Sequence, residues 1–257
     1  MTVARRSKLL SPAEAVERFV PDGCPSLAVG GMHMHNNPMA LVREVIRRRR
    51  RVVRLVTSPS ASINADILIG AGLVDEVLTS YVGFEHLGLA PCFRRAVEGG
   101  TVRLLEADEP MLVYGLQAGA GGLPFIPYPR AMEGSDMPKL NPEMFRTTTD
   151  PYTGATVLTA PPIRPEVALL HCRVADPSGN AVFGGSQFTD RQMAFAARTV
   201  VLQVEEVVEE GAIPASRVDI PGFLVAAVVE APFGCHPTAS HGEYHYDEAH
   251  LREYIAA

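Results

Sequence analysis

Two glycines between a short apolar run and a polar loop are the first residues in this sequence with an evident capacity for chemistry. Leu27-Ala28-Val29 reads as a buried strand that ends at Gly30-Gly31. Met32-His33-Met34-His35-Asn36-Asn37-Pro38 then leads into a helix predicted from about Met39 to Arg50. Glycines at such a corner let a ligand approach the backbone, and the start of the Met39 helix offers N–H groups to an anion. A tight strand-to-helix turn with two surface histidines accounts for the same residues equally well. The GxGxxG fingerprint is absent, which gives a nicotinamide enzyme little support.

Glu109 is the candidate acid–base residue. Asp108-Glu109 precedes Pro110 at a predicted helix start, where the helix dipole by itself favours a carboxylate. A general base or a polar contact to substrate is the sharper role for the same side chain. His33-x-His35 and the set His236, His241, His245 and His250 raise metal binding, but none of these spacings matches a known zinc pattern. No resident metal is therefore expected. Gly119-Ala120-Gly121-Gly122 follows a helix and leads into Leu123-Pro124, so it reads as a helix terminator and not a phosphate loop. No GxSxG elbow occurs, and serine hydrolase chemistry has no support.

These residues need a scaffold, and the hydrophobic pattern supplies one. Ser11-Pro12-Ala13-Glu14 is a capping box that opens a helix. Strands are predicted at Val52 to Thr57, Val77 to Tyr81 and Val102 to Leu105. Helices alternate with them at Ala65 to Gly70, Pro91 to Glu98 and Pro110 to Ala120. This alternation predicts an α/β fold with an open, mostly parallel sheet and helices on both faces. The stretch from Pro124 to Pro165 is rich in proline and turn residues, and reads as an ordered excursion over one edge or mouth of the sheet. The pattern resumes with Val167 to Leu170, a helix from Asp190 to Thr199, strands at Val200 to Val204 and Leu224 to Val229, and a closing helix from Asp247 to Ile255. A single domain over residues 1–257 is the simplest organisation.

Composition narrows the classes. Hydrophobic residues make up 47% and charged residues 20% of the chain, the mixture of a soluble globular protein. The net charge of −6, from 23 basic and 29 acidic residues, argues against nucleic acid as a partner. The four cysteines form no CxxC pair, so reduced thiols in a cytoplasmic protein are expected. No apolar run is long enough to cross a membrane, and no signal-peptide stretch appears at the start.

Three motifs carry a resemblance over nearly the whole chain. They are Asp22-Gly23 through Gly30-Gly31 to Pro38, Leu123-Pro124-Phe125-Ile126-Pro127 with Gly134-Ser135, and Ala231-Pro232-Phe233-Gly234-Cys235-His236-Pro237 followed by Gly242-x-Tyr244-x-Tyr246-Asp247. Together they resemble the A-type (alpha) subunit of glutaconate CoA-transferase and its relatives. Met32 stands in place of the usual phenylalanine, and Asn36 where many members carry glycine.

The resemblance implies a coenzyme A thioester as substrate, no further cofactor, and pairing with a B-type subunit, as an A2B2 heterotetramer. In the transferases a glutamate of the B-type subunit attacks the thioester and carries CoA. The A-type subunit contributes the Gly-Gly loop, whose N–H groups stabilise oxyanions, together with pocket residues. Substrate contacts are accordingly expected from Gly30, Gly31, Met32, His33, His35, Asn36, Gly134 and Ser135. The basic run from Arg47 to Arg51, with Arg43 and Arg54, reads as solvated surface, with the CoA phosphates as its alternative ligand.

Position 109 opens a second reading. The transferases carry glutamine where this chain has Glu109, whereas related hydrolases that open a steroid ring as a CoA thioester carry glutamate. Asp108-Glu109-Pro110-Met111-Leu112 resembles that group's segment. In those enzymes the glutamate acts as base with water, and an arginine matched here by Arg130 assists. CoA transfer is the leading expectation and ring-opening hydrolysis the alternative. A chain that binds acyl-CoA without turnover is the third.

Overall fold

The computed structural model describes residues 7–128 and 134–257. The first half of the chain alternates helix and strand: α1 (Pro12–Phe19), β1 (Cys24–Val29), α2 (Met39–Arg47), β2 (Val52–Thr57), α3 (Ile63–Gly70) and β3 (Val74–Thr79). It continues through α4 (Pro91–Glu98), β4 (Arg103–Glu106) and α5 (Glu109–Ala120). The excursion contains β5 (Ile126–Pro127), α6 (Met137–Leu140), β6 (Arg146–Thr149) and β7 (Thr156–Ala160). The last part comprises β8 (Val167–Ala175), β9 (Ala181–Val182), α7 (Asp190–Ala196), β10 (Thr199–Val207), β11 (Val225–Glu230) and α8 (Glu248–Ala256).

Seven strands pair in parallel in the order β11-β10-β8-β1-β2-β3-β4, and β9 adds antiparallel to β8. Each parallel step needs a crossover, which is why apolar strands and amphipathic helices alternate in the sequence. Alternate side chains of one strand feed two cores. Leu27 and Val29 pack with α1, α2, α3, α4 and α8 on one face, and Ala28 joins α5, α7 and the excursion on the other. The expected architecture, a mostly parallel sheet with helices on both faces, is the one observed.

The excursion from 124 to 165 is ordered where described. Strands β5, β7 and β6 form a separate antiparallel sheet, and Tyr128, Met144, Phe145 and Leu158 bury against the α5 face of the main sheet. The capping box at Ser11 is formed. Its side chain accepts from Glu14 N, and the Glu14 carboxylate accepts from Ser11 N at 3.0 Å. The second helix stops at Arg47 and not at Arg50, because Arg49 turns the backbone into the left-handed region at φ 51°. The strand predicted to stop at Val204 continues to Val207, and its Gln203 and Glu205 belong to the site described below. Among the described residues no helix is long and apolar enough to cross a membrane.

Candidate active site at the switch point

Strand order reverses at β1. The chain proceeds from β1 through β2 and β3 to β4 on one side, and later fills the other side with β8, β10 and β11. The carboxyl ends of β1 and β8 therefore diverge at a topological switch point, the place where open α/β sheets bind ligands. Gly30-Gly31 lies at that point. The register pairs Val29 with Leu169 of β8 on one flank and with Thr57 of β2 on the other. A cleft of about 360 Å³ lined by Ser26, Arg54 and Pro161 to Pro165 lies toward the amino ends of the strands instead. Arg54, Glu143 and Arg164 face it, but none of the elbow residues lines it.

The elbow is held from every side. Gly30 N donates to Leu169 O at 2.9 Å, and Gly31 N donates to Asp190 Oδ1 at 2.8 Å. Asn64 Nδ2 donates to Gly30 O at 2.8 Å. Met32 and His35 exchange backbone hydrogen bonds, and His33 N donates to Ser60 O at 2.6 Å. The expectation that Gly30 and Gly31 offer their N–H groups to an oxyanion is corrected here: both are donated within the chain. The same holds for the start of α2, where Ala40 N donates to Gly234 O and to Gln203 Oε1, each at 2.9 Å. A buried donor without a partner is costly, so the fold satisfies these groups itself.

Asn36 explains a departure noted in the sequence. Its φ of 56° is left-handed, a region that glycine enters freely and asparagine better than most residues. The side chain then adds what glycine lacks. Nδ2 donates to Gly184 O and Ser186 O at 2.7 and 3.0 Å, and Oδ1 accepts from His241 N at 3.3 Å. Replacing Asn36 by alanine is expected to destabilise the chain by about 2–3 kcal/mol, because strain remains and three bonds are lost. Asn36→Gly should cost about half as much. Urea denaturation of the two variants measures the difference.

The imidazoles of His33 and His35 project from this elbow. His33 packs edge-on to Tyr81 at 5.9 Å and its Nδ1 lies 3.3 Å from Glu85. His35 packs edge-on to Tyr246, and burial lowers its pKa, so it is neutral near pH 7. Met32 is half-buried, with Ser186 Oγ 3.0 Å from its sulfur.

Behind the elbow lies a buried polar network that sequence reasoning missed. His171 is 2% exposed; its Nδ1 accepts from Gln203 Nε2 at 3.0 Å, and its Nε2 lies 3.1 Å from Ser240 Oγ. That pairing assigns the proton to Nε2. Burial pushes the pKa of His171 down to about 3, so the ring is neutral. Glu205 accepts from Tyr244 Oη and from Phe233 N, both at 2.7 Å, and Tyr244 Oη accepts from Cys235 N at 3.0 Å. His171, Glu205 and Cys235 bring ligand-type atoms within 4.8 Å of one another. Each already has protein partners, and burial raises the Cys235 thiol far above neutrality. The sequence does carry a signal for this network, since single polar residues interrupt the apolar runs of β8 at His171 and of β10 at Gln203. Gln203→Leu is expected to cost about 2–4 kcal/mol, because Ala40 N loses an acceptor and His171 Nδ1 its donor. Thermal denaturation checks this.

Glu109 opens α5, but Asp108 does the capping. Asp108 Oδ1 accepts from Met111 N at 2.9 Å and also from the Tyr128 hydroxyl. Glu109 itself is exposed, and no described side chain pairs with it. α5 and α7 pack side by side and run the same way, since Gly119 near the end of α5 meets Ala196 at the end of α7. Both helices therefore start at the carboxyl edge of the sheet, α5 with Glu109 and α7 with Asp190. Three strand spacings separate β4 from β1, roughly 14 Å along that edge. Gly134 is exposed and Ser135 half-buried, its Oγ without a partner among the described residues, both on the excursion. Arg130 lies outside the described residues.

Comparison with known proteins agrees with this architecture. Residues 9–231 match the family model of coenzyme A transferase. An uncharacterised protein of Archaeoglobus fulgidus is 38% identical over 97% of this chain, which spans 56% of that protein's length. The A subunit of the 3-oxoadipate CoA-transferase of Pseudomonas knackmussii is 36% identical, covering 94% of this chain and 85% of its own length. The cholesterol ring-cleaving hydrolase IpdA subunit of Rhodococcus jostii is 33% identical over 98% of this chain and 87% of its own length. Among solved structures, a variant of the decarboxylase AibA/AibB superposes with a TM-score of 0.89 at 36% identity, over 98% of this chain and 93% of that one. Glutaconate coenzyme A-transferase of Acidaminococcus fermentans superposes with a TM-score of 0.90 at 28% identity, over 97% and 84% of the two chains. The chain, with its glycine elbow at the switch point, belongs to the coenzyme A transferase family as an A-type subunit.

Proposed function

We propose that this chain works with a separately encoded B-type subunit to move CoA between an acyl-CoA thioester and a carboxylic acid. The observation that carries the proposal is the clamped Gly30-Gly31 elbow at the switch point, in a chain alike end to end to a named transferase A subunit. Met32, His33 and His35 contact the thioester end of the substrate, while Gly30, Gly31 and Asn36 shape the elbow. Arg130, Gly134 and Ser135 contact the acyl-CoA from the excursion. The nucleophilic glutamate is supplied by the B-type subunit, and attack on the thioester splits one transfer into two easier steps. An A2B2 assembly places two such sites in one particle. Relatives twice as long favour a partner of similar size: in a mitochondrial rat succinyl-CoA:3-ketoacid coenzyme A transferase, this chain spans 44% of the length.

A second reading has a specific observation behind it. Glu109 is relieved of capping by Asp108 and stands exposed at the carboxyl edge, in a chain 33% identical to a ring-cleaving hydrolase subunit. As a base it would activate water against a cyclic oxo-acyl-CoA.

Co-expression with the neighbouring reading frame for the B-type subunit tests both. Acyl-CoA consumption is followed with and without a carboxylic acid acceptor, across dicarboxylyl-CoA and cyclic oxo-acyl-CoA substrates. Turnover that needs the acceptor supports transfer. Turnover with water alone, yielding an opened CoA product, replaces it with hydrolysis. Binding without turnover of any substrate would sink both.

A further inference from the structure

Asp190 is, among the described residues, the carboxyl group buried against the elbow. It is 2% exposed, at the first residue of α7. Its Oδ1 accepts the Gly31 N–H, while Oδ2 is buried and finds no partner among the described residues. Contact is close enough to dictate the sequence opposite. A Cβ on Gly30 would stand 2.2 Å from Asp190 Oδ1 and 2.7 Å from Leu170 Cδ2. Gly31 has φ 96°, a conformation that few side chains tolerate, and the Asp190 bond secures it there.

We propose that Asp190 is the positioning residue of the glycine elbow and that it performs this role as the neutral carboxylic acid. The inference rests on the functional reading above, in which a glutamate of the B-type subunit attacks a thioester held beside this elbow; that attack puts negative charge on the thioester oxygen. An ionised carboxylate with one N–H and one bare oxygen in a dry site carries a large desolvation cost. Burial accordingly pushes its pKa up to about 7, against the weaker downward pull of the Gly31 N–H and of its own backbone N–H. The titratable groups coupled to it are the thiols of Cys172 on β8 and Cys235 after β11, both kept protonated by burial. No cation among the described residues offsets its charge. Ionisation would place a negative charge next to the site where substrate becomes negative, so the neutral form is the working one.

The sign follows from linkage. The folded pKa lies above the unfolded value near 3.9, so the folded chain holds one more proton between the two. Stability from this group is full below about pH 4 and falls as pH rises toward 7. The Asp190→Asn variant keeps an oxygen for Gly31 and cannot ionise.

Difference infrared spectroscopy of the full chain, wild type minus D190N, reads the proton directly and needs no activity. A protonated-carboxyl band that disappears with a midpoint near pH 7 is expected. Hydrogen exchange at the Gly31 amide is expected to accelerate tenfold or more in D190A and to stay slow in D190N. In the complex with the B-type subunit, wild-type kcat is expected to fall above pH 7, a limb that D190N lacks. D190A should lose kcat with KM little changed. No protonated-carboxyl band, unaltered Gly31 exchange in D190A, or a D190N enzyme with the wild-type alkaline limb would each overturn the proposal. If the wild-type complex turns over no acyl-CoA, the functional reading fails by itself, and the infrared and exchange results still decide the state and role of Asp190.

Discussion

Replacing Gly30 by valine is expected to abolish acyl-CoA turnover in the assembled enzyme and to lower the unfolding free energy by about 2–4 kcal/mol. Three atoms stand where the new side chain must go. Asp190 Oδ1 and Leu170 Cδ2 lie 2.2 and 2.7 Å from a Cβ at this position, with Asp190 Cγ at 3.1 Å. Leu170 is buried inside the second core, and Asp190 is tied to the Gly31 N–H, so neither retreats freely. A forced retreat of Asp190 would release Gly31 and leave its N–H buried without an acceptor. The elbow would then lose the shape that sets the His33 and His35 rings. Gly30→Ala should show the same effect at reduced size, since the clash begins at Cβ. Urea denaturation and steady-state kinetics on both variants measure the two effects. Wild-type kinetics in the valine variant would remove the elbow from the site.

Glu109→Gln is expected to separate the two reactions. If water-dependent ring opening is the activity, loss of the base lowers kcat by about 10²–10⁴-fold. If CoA transfer is the activity, the same change leaves it within about threefold, because the nucleophile is on the partner subunit. Stability is a useful control. Asp108 holds the helix start through Met111 N, so Glu109→Gln should shift stability by less than about 0.5 kcal/mol. A large loss of stability would show that the residue is structural after all. Retained ring-opening activity in the variant would falsify the base assignment.

The scaffold was legible in the sequence because it rests on local rules. Val52 to Thr57 and Pro91 to Glu98 are predicted with the ends observed, since an apolar run bounded by turn residues and a proline at the first helical position are short-range signals. The Ser11 capping box needs only residues three apart. Where ends were misjudged, the cause was tertiary. β10 runs on to Val207 because it pairs with β8 from Thr199 to Val207, beyond the end of its pairing with β11 at Val204, and a strand edge satisfied by a neighbour tolerates polar residues that propensity alone would exclude.

The site divides the same way. Neighbouring residues are enough to dictate a glycine elbow after the first strand and a carboxylate at the start of the fifth helix. They say nothing about where the elbow's N–H groups go. That depended on Asp190, 159 positions from Gly31, and on Leu169 of β8, whose carbonyl accepts the Gly30 N–H. Nor do they show that Asp108 rather than Glu109 caps α5, because both are carboxylates at a helix start and the backbone path chooses between them. Strand order made the final choice. Inserting β8 next to β1 carried α7 and its buried acid to the back of the elbow, and in a parallel sheet such neighbours are set by crossovers of many residues that no local pattern encodes.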